Sequence, residues 1–385
     1  MTGSALFSPL TLRDVTLKNR IMVSPMWQYC AEKGYPTDWH LMNLGRLADG
    51  GAGLVFQEGT SIERRACGTV GDLGIWDDCF IEPLKRLVNL VCLNGGVPAI
   101  QLVHAGRKAR QVPPYKGRGP LLDAAGVEDW DDWEMIAPSA LPASPGFSEP
   151  RAMNAADIAS TVEAWGASAQ RADQAGYQVM ELHGAHGYLI HQFLSSSSNR
   201  RSDGYGGDFY GRTRYIMEVV EEVRRFWPAG KPLLMRLSCF DGDGWKLEDT
   251  LRLVPMLAKA GVDLIDCSAG GISGSPLKGD RPLSYGYQVE LAEAVKRETG
   301  VPTAAVGLIV HARHAEQIVQ SGAADLVALG RELIYNPNWP VDAAQKLGVD
   351  PDFQVMQRRS SFWLDRRAKT VPGLTLSTYG EDESA

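Results

Sequence analysis

The sequence predicts an α/β protein of the (β/α)₈ TIM-barrel class, because short apolar runs alternate with amphipathic stretches along the chain. The apolar runs number eight, at residues 21–23, 53–57, 98–103, 178–182, 233–237, 264–267, 303–306 and 326–329. Amphipathic stretches of helical periodicity separate most of them, at residues 155–175, 213–226, 247–260, 288–298 and 312–321. Near-continuous apolar strands of this kind form parallel sheets buried on both faces. Their number favours a closed barrel over an open doubly wound sheet.

Length and composition set the broad class of the protein. At 385 residues the chain is ordinary for a barrel with insertions, so we expect one domain over residues 1–385. A net charge of −7 provides no basic surface for nucleic acid. The 6 cysteines form no C-x-x-C pair, which favours reduced thiols. No apolar run approaches membrane-spanning length and no signal-peptide pattern begins the chain, so we expect a soluble, cytoplasmic protein without membrane contacts.

The residues that follow the apolar runs are candidates for a functional site, because barrels of this class build their sites at the carboxyl ends of the strands. Gly307 follows the seventh run, and Gly330 and Arg331 follow the eighth. Glycines expose backbone amides, and an arginine can bind a phosphate through two parallel hydrogen bonds. Either glycine alone would be typical of a turn. Together with Arg331, they predict a phosphate-bearing ligand.

Two histidines and a tyrosine follow the fourth run. His183, His186 and Tyr188 are close enough in the sequence to face one site. Two imidazoles can jointly hold one oxygen atom of a ligand, and a phenol can give or take a proton. Metal ligation and a hydrogen-bonded core histidine are the alternatives. No third ligand stands at a convincing spacing, and we expect His191 to face the barrel wall, so no metal is expected.

Three further segments exceed what a minimal barrel needs. Residues 105–150 are rich in Pro and Gly and lack periodicity, so we expect a lid or hairpin over the mouth of the third strand. Residues 195–214 are polar, and we expect a loop there. Residues 352–385 form a C-terminal extension that carries Trp363 among charges of mixed sign and ends in an acidic run that we expect to be frayed.

Several long motifs, in the same order, resemble those of the Old Yellow Enzyme family of FMN-dependent ene-reductases. The resemblance covers nearly the whole chain and is closest to the branch of the xenobiotic reductases and the YqjM-like bacterial enzymes. The motifs that carry it are residues 19–26 (NRIMVSPM), 183–189 (HGAHGYL), 192–195 (QFLS), 199–207 (NRRSDGYGG) and 329–333 (LGREL).

The resemblance implies a set of residues that bind FMN. The phosphate would lie on the amides of Gly307 and Gly330 and on Arg331. Arg236 would lie beside the N1–O2 edge of the flavin, where a fixed positive charge stabilises the anionic reduced ring. A buried arginine paired with a carboxylate is the less economical alternative at a strand end. The remaining contacts to the cofactor would come from Pro25, Met26, Thr60, Gln101 and Gly270.

The resemblance also implies the chemistry. NADPH or NADH would reduce FMN and leave, and an enone-type substrate would then take its place in a ping-pong cycle. His183 and His186 would donate hydrogen bonds to the carbonyl oxygen of the alkene, which opens its β-carbon to hydride from flavin N5. Tyr188 would protonate the α-carbon from the opposite face. Tyr29 would help to bind substrate.

Trp27 departs from the pattern of the family, which has Cys at this position in this branch and Thr in the yeast-type enzymes. The indole either swings aside or occupies part of the substrate space, and packing away from the site is the alternative. Two rival functions remain open. One is a specialised oxidoreductase, acting on an aromatic-pathway intermediate or in the dehydrogenating direction. The other is a flavin-binding protein with little turnover, should Trp27 block the substrate face.

The C-terminal extension matches a segment that, in the resembling branch, reaches into the active site of a neighbouring subunit. A Trp left in water would expose a large apolar surface, so we expect it to be buried. The resemblance implies a homodimer or a dimer of dimers, in which Trp363 walls the substrate pocket of the next chain and Arg366 or Arg367 lies near its rim. Packing of this segment on its own barrel is the alternative.

Overall fold

Eight parallel strands close into a barrel in the part of the chain that the computed structural model describes, residues 3–117, 119–124, 126–242, 244–273, 283–371 and 373. The last strand pairs with the first through Val327 and Ile21, and the first pairs with the second through Met22 and Leu54. The strands are β1 Ile21–Val23, β2 Leu54–Ser61, β3 Val97–Val103, β4 Val179–Gly184, β5 Leu233–Ser238, β6 Leu264–Ser268, β7 Thr303–Ala305 and β8 Leu326–Leu329. The predicted barrel and all its strands are confirmed.

Helices follow the strands and cover the outside of the barrel. In the described residues they are α1 Asp38–Asp49, α2 Ile81–Leu93, α3 Ala155–Ala175, α4 Leu189–Leu194, α5 Phe209–Phe226, α6 Leu247–Ala260, α7 Val289–Thr299, α8 Ala312–Gln320, α9 Arg331–Tyr335, α10 Trp339–Lys346 and α11 Arg358–Thr370. None of them is long and apolar enough to cross a membrane. The expectation of a loop up to residue 214 is wrong at its end, because Asp208 caps α5 by accepting the N–H of Gly211 at 2.8 Å.

A hairpin of Leu10–Leu12 and Val15–Leu17 closes one end of the barrel. Its Leu12 and Leu17 belong to the apolar cluster that fills the interior, to which every barrel strand contributes. The other members of that cluster are Met22, Leu54, Phe56, Ala99, Val179, Leu234, Leu264, Ala304, Leu326 and Ala328. Because most of these residues lie near the starts of their strands, the hairpin seals the amino-terminal end. Of the two barrel ends that the described residues form, the one that stays open is therefore the carboxyl end.

The expected hairpin within residues 105–150 is present. Gln111 and Val112 pair antiparallel with Pro120 and Gly119. The ring of Tyr115, at the tip of this hairpin, lies 6.3 Å from the ring of Tyr29. The C-terminal extension is helical over α11, whereas its acidic end at residues 381–383 lies outside the described residues.

Candidate active site

A cavity of about 410 Å³ opens at the carboxyl ends of the barrel strands. This volume is typical of a small-molecule or cofactor site. The predicted site residues that it brings together are Pro25, Met26, His186, Arg236, Gly307, Gly330 and Arg331. The loops after β1, β7 and β8 and the strand end of β5 supply most of them, as expected for a barrel of this class.

The residues at one end of this cavity fit a phosphate-bearing cofactor such as FMN. Arg331 is exposed at the rim, where its guanidinium can reach a phosphate. Gly307 has a φ of +118°, a conformation that side chains rarely adopt. A Cβ there would lie 3.1 Å from the Tyr287 ring, so glycine lets the backbone line the cavity closely.

His183, His186 and Tyr188 meet beside the cavity. The ring centroids of His183 and His186 are 5.1 Å apart, and those of His183 and Tyr188 are 4.8 Å apart. Burial, reinforced by the charge of Arg236, lowers the pKa of each histidine well below 6.5. Both rings are therefore neutral at neutral pH, and each carries one N–H. The two histidines and the tyrosine therefore form one cluster of packed rings.

Arg236 lies between the cavity and a layer of buried carboxyl groups. Its Nε is 3.2 Å from Oδ2 of Asp266, the residue opposite it on β6. Arg236 thus has the acidic partner that seemed less economical from the sequence, and it also lines the cavity. Gln101 donates to Oε1 of the buried Glu181 at 2.7 Å. Burial, together with Asp266, raises the pKa of Glu181 well above 4.5.

The indole of Trp27 packs at the edge of the site rather than along the cavity. Its N–H donates to the carbonyl oxygen of Gly59 at 2.7 Å. Its ring lies against Tyr188 on one side and 6.4 Å from the ring of Tyr29 on the other. Trp27 therefore joins the predicted substrate-binding and proton-donating residues in one aromatic cluster.

Other predicted site residues lie away from the cavity lining. Thr60 is buried and donates its hydroxyl to the carbonyl oxygen of Glu58 at 2.9 Å. The N–H of Gly270 donates to the carbonyl oxygen of Phe240 at 2.8 Å, which fixes the backbone just after β6. Gln101 donates its hydrogen bond to Glu181. The contacts of these three residues with a cofactor stay predictions, as does the role of Trp363, whose side chain is 66% exposed.

Sequence reasoning missed several residues of the site. Lys108 donates its ammonium group to the carbonyl oxygens of His186 and Gly271 and lies 5.7 Å from the centre of the Tyr188 ring. Tyr287 and Gln288 line the cavity after β6. Lys108 comes shortly after β3, so the rule that sites form at strand ends would have found it.

His191 takes no part in the cavity. It is fully buried, with Nδ1 accepting the N–H of Gly187 at 2.9 Å and Nε2 lying 3.5 Å from Oδ2 of Asp241. Across the described ranges, no group of three or more His, Cys, Asp or Glu side chains is arranged to hold a metal ion.

Fold and site together define a TIM barrel whose cavity fits a phosphate-bearing cofactor and lies beside a pair of neutral histidines and a tyrosine. A model of the NADH:flavin oxidoreductase / NADH oxidase family matches residues 5–350. The NADPH dehydrogenase of Geobacillus thermodenitrificans (strain NG80-2) is 43% identical over 361 residues, which cover 93% of this chain and 98% of that protein. The match to the family model extends over the barrel and the cavity-lining positions, Ser24 to Glu332.

Solved structures agree with the sequence comparison. Morphinone reductase superposes with a TM-score of 0.75 at 27% identity, covering 90% of each chain. An old yellow enzyme homologue from Zymomonas mobilis superposes with a TM-score of 0.73 at 25% identity, covering 89% of this chain and 92% of the other. The chain belongs to the NADH:flavin oxidoreductase / NADH oxidase family, which confirms the resemblance to the Old Yellow Enzymes. It is an oxidoreductase with FMN as cofactor and a reduced nicotinamide as reductant.

Proposed function

We propose that this enzyme reduces the C=C bond of α,β-unsaturated carbonyl compounds at the expense of NADPH or NADH, in a ping-pong cycle. The observation that carries the proposal is the contact of His183 with both His186 and Tyr188 beside the cofactor cavity. FMN, when bound, supplies the hydride that the β-carbon of the alkene receives. The name of the Geobacillus relative supports NADPH as the reductant.

The two histidines bind the carbonyl oxygen of the substrate. Because both are neutral, each can donate one hydrogen bond without placing a full charge in the buried site. Two such bonds withdraw electron density from the conjugated C=C bond and stabilise the negative charge that develops on the oxygen. The substrate is thereby oriented with its β-carbon towards the cavity.

Tyr188 supplies the proton. Its ring lies against His183, so a substrate whose oxygen is held by the histidines presents its α-carbon near the phenol. Transfer of this proton to the α-carbon and of a hydride to the β-carbon gives the saturated carbonyl compound. The phenol is then reprotonated from solvent.

Arg236 keeps a positive charge at the cavity. Two ionised carboxylates beside it would more than cancel that charge. Burial raises the pKa of both Glu181 and Asp266, which favours their neutral forms. The guanidinium therefore retains much of its positive charge. When FMN is bound, this charge would stabilise the N1–O2 edge of the flavin, which becomes negative on reduction.

The position of Trp27 favours turnover over the rival of a flavin-binding protein. The indole is tethered to Gly59 and is not among the described residues that line the cavity. The indole reduces the space beside Tyr188, where the substrate would bind, but it does not fill the cavity that would hold the cofactor. A specialised substrate remains compatible with this arrangement.

We also propose that the active enzyme is a cytoplasmic homodimer or dimer of dimers whose subunits share their sites. Trp363 and Phe362 on α11 are both exposed in the single chain, at 66% and 39%. Arg366 lies 6.0 Å from the centre of the Trp363 ring. An exposed aromatic pair with an adjacent arginine is typical of an interface hot spot. A second copy would bury it.

Anaerobic two-step reduction tests the catalytic proposal. NADPH or NADH should bleach the visible absorbance of the enzyme-bound FMN, and 2-cyclohexenone added afterwards should restore it with one equivalent of cyclohexanone formed. Cyclohexanone itself, added in place of the enone, is the control and should restore nothing. Recovery of the absorbance by oxygen but not by the enone would overturn the proposal.

A further inference from the structure

Each histidine of the pair has one ring nitrogen already engaged by the protein. The N–H of Ala185 donates to Nδ1 of His183 at 3.2 Å, which leaves Nε2 for a ligand. Nε2 of His186 lies 2.8 Å from the hydroxyl oxygen of Ser268, which leaves Nδ1 for a ligand. The two histidines therefore present opposite ring nitrogens to the substrate.

The two engaged nitrogens differ in what their partners can do. A backbone N–H only donates, so Nδ1 of His183 must be the acceptor and Nε2 must carry the proton. A hydroxyl both donates and accepts. The position of the single ring proton of neutral His186 therefore depends on where the hydroxyl proton of Ser268 points.

Among the described residues, the Ser268 hydroxyl has two acceptors within reach, and they are unequal. Its oxygen is 2.8 Å from Nε2 of His186 and 3.3 Å from Oε1 of Gln288. Hydroxyl hydrogen bonds are most favourable near 2.7–2.8 Å and weaken with distance. The shorter distance therefore favours donation of the hydroxyl proton to His186, with Nε2 as the acceptor.

We propose that Ser268 is a positioning residue that places the ring proton of His186 on Nδ1, so that both histidines donate to the same substrate oxygen. The inference deepens the proposed function and rests on it for its catalytic meaning. In the opposite arrangement His186 would donate to Ser268 and turn an unprotonated Nδ1 towards the electron-rich oxygen. That contact would be repulsive, and one of the two activating hydrogen bonds would be lost.

A separate serine holds the backbone of His186. Ser238 accepts the N–H of His186 at 3.0 Å and donates its hydroxyl to the carbonyl oxygen of Gly270 at 2.8 Å. His186 has a φ of +57°, so this support fixes an uncommon backbone conformation. Ser238 acts on the main chain and Ser268 on the ring. The two hydroxyls therefore provide a matched pair of variants.

Nitrogen-15 NMR of the FMN-loaded enzyme, labelled at histidine, tests the assignment directly. Long-range proton–nitrogen spectra distinguish protonated from unprotonated ring nitrogens, and His183→Asn and His186→Asn assign the signals. We expect the proton on Nε2 of His183 and on Nδ1 of His186. A wild-type His186 protonated at Nε2 overturns the proposal without any variant.

The variants then separate the ring from the backbone. Ser268→Ala should move the His186 proton away from Nδ1 and weaken the binding of a para-substituted phenol by about tenfold, the value of one net hydrogen bond. Ser268→Thr should restore both, and Ser238→Ala should leave the tautomer unchanged. Gln288→Met removes the competing acceptor and should keep the proton on Nδ1. If Ser268→Ala keeps both the Nδ1 proton and the phenol affinity, the role of Ser268 is refuted.

Failure of the proposed enone reduction can be distinguished from failure of the tautomer assignment. A wild-type enzyme with the expected tautomers that reduces no enone would refute the catalytic function and leave the tautomer assignment standing. An enzyme that reduces enones but has His186 protonated at Nε2 would refute the tautomer assignment and leave the catalytic function standing.

Discussion

The indole of Trp27 meets the phenol ring of Tyr188 edge to face, at 88° with ring centroids 5.1 Å apart. The indole N–H is donated to Gly59, so the ring cannot turn without breaking that hydrogen bond. An edge-to-face aromatic pair contributes about 0.5–1.5 kcal/mol beyond its buried area. Trp27 therefore packs against Tyr188 and restricts its position. The indole N–H is hydrogen-bonded to Gly59 and does not bind substrate.

Replacing Trp27 should change the range of substrates and the midpoint potential of FMN. Trp27→Cys removes the indole, so we expect bulkier enones to be accepted. A thiol at this position should also shift the midpoint potential of FMN. Potentiometric titration and kcat/KM for enones of graded size are the measurements. Trp27→Phe, which keeps a ring without the N–H, is the control and should retain most of the size limit. An unchanged potential and profile in Trp27→Cys would contradict this prediction.

Removing the phenol hydroxyl should affect one half-reaction only. Tyr188→Phe keeps the ring contacts with Trp27 and His183 but has no proton to give, so enone reduction should slow by roughly 10²–10⁴. Reduction of FMN by NADPH, which needs no proton from Tyr188, should be unchanged within about twofold. Stopped-flow absorbance measures the two steps separately. Equal slowing of both steps would show that Tyr188 acts through cofactor binding instead.

Arg331 should govern cofactor affinity. Arg331→Ala removes a charge-assisted hydrogen bond to the phosphate, so FMN binding should weaken by about 1.5–3 kcal/mol. Fluorescence titration of the apoprotein gives the dissociation constant. Arg225→Ala, which removes an exposed arginine on α5 away from the cavity, is the matched control. A variant of Arg331 with wild-type FMN affinity would refute the phosphate assignment.

Folding stability should fall in mild acid because of the buried histidines. The pKa of His183 is far below 6.5 in the folded protein, so between that pKa and pH 6.5 only the unfolded state binds the proton. The free energy of unfolding is therefore unaffected by this group above about pH 6.5 and falls below it, by at most about 1.4 kcal/mol per pH unit. Urea unfolding at several pH values should show a shallower acid slope in His183→Asn. Identical slopes below pH 6.5 would contradict the low pKa.

The aromatic pair on α11 should control assembly and the site together. Trp363→Ala should weaken self-association and change the KM for enones, because its side chain would line the site of a neighbouring copy. Sedimentation velocity and steady-state kinetics on the same sample test both. Tyr210→Ala is the control, since Tyr210 is 65% exposed but lies on α5. A fully active monomer in either the variant or the wild type would exclude a shared site.

The barrel was predictable because its strands are buried on both faces. Complete burial leaves a continuous apolar run in the sequence, and all the runs fell on strands within a few residues. The hairpin at the amino-terminal end was missed, although Leu10-Thr11-Leu12 and Val15-Thr16-Leu17 alternate as strands do. Each strand is only three residues long. So short an alternation carries little weight in a sequence.

The site was predictable only where position along a strand determines function. His183, Arg236 and Arg331 follow from the rule that barrel sites form at strand ends. The partnership of Arg236 with Asp266, and that of Gln101 with Glu181, depend on strand register. Register is a property of pairs of distant segments, so no single stretch of sequence reveals it. Contacts of hydroxyl groups, such as Ser268 with His186, are hidden for the same reason.

Gly59 and Trp27 constrain each other through their packing. A Cβ at position 59 would lie 2.9 Å from Cε2 of Trp27, closer than real contacts allow. A side chain at 59 is thus compatible with a small residue at 27 and incompatible with an indole there. The two positions are therefore sterically coupled, and an indole at position 27 requires glycine at position 59. Laboratory libraries that enlarge residue 59 will succeed only in backgrounds where residue 27 has first been made smaller.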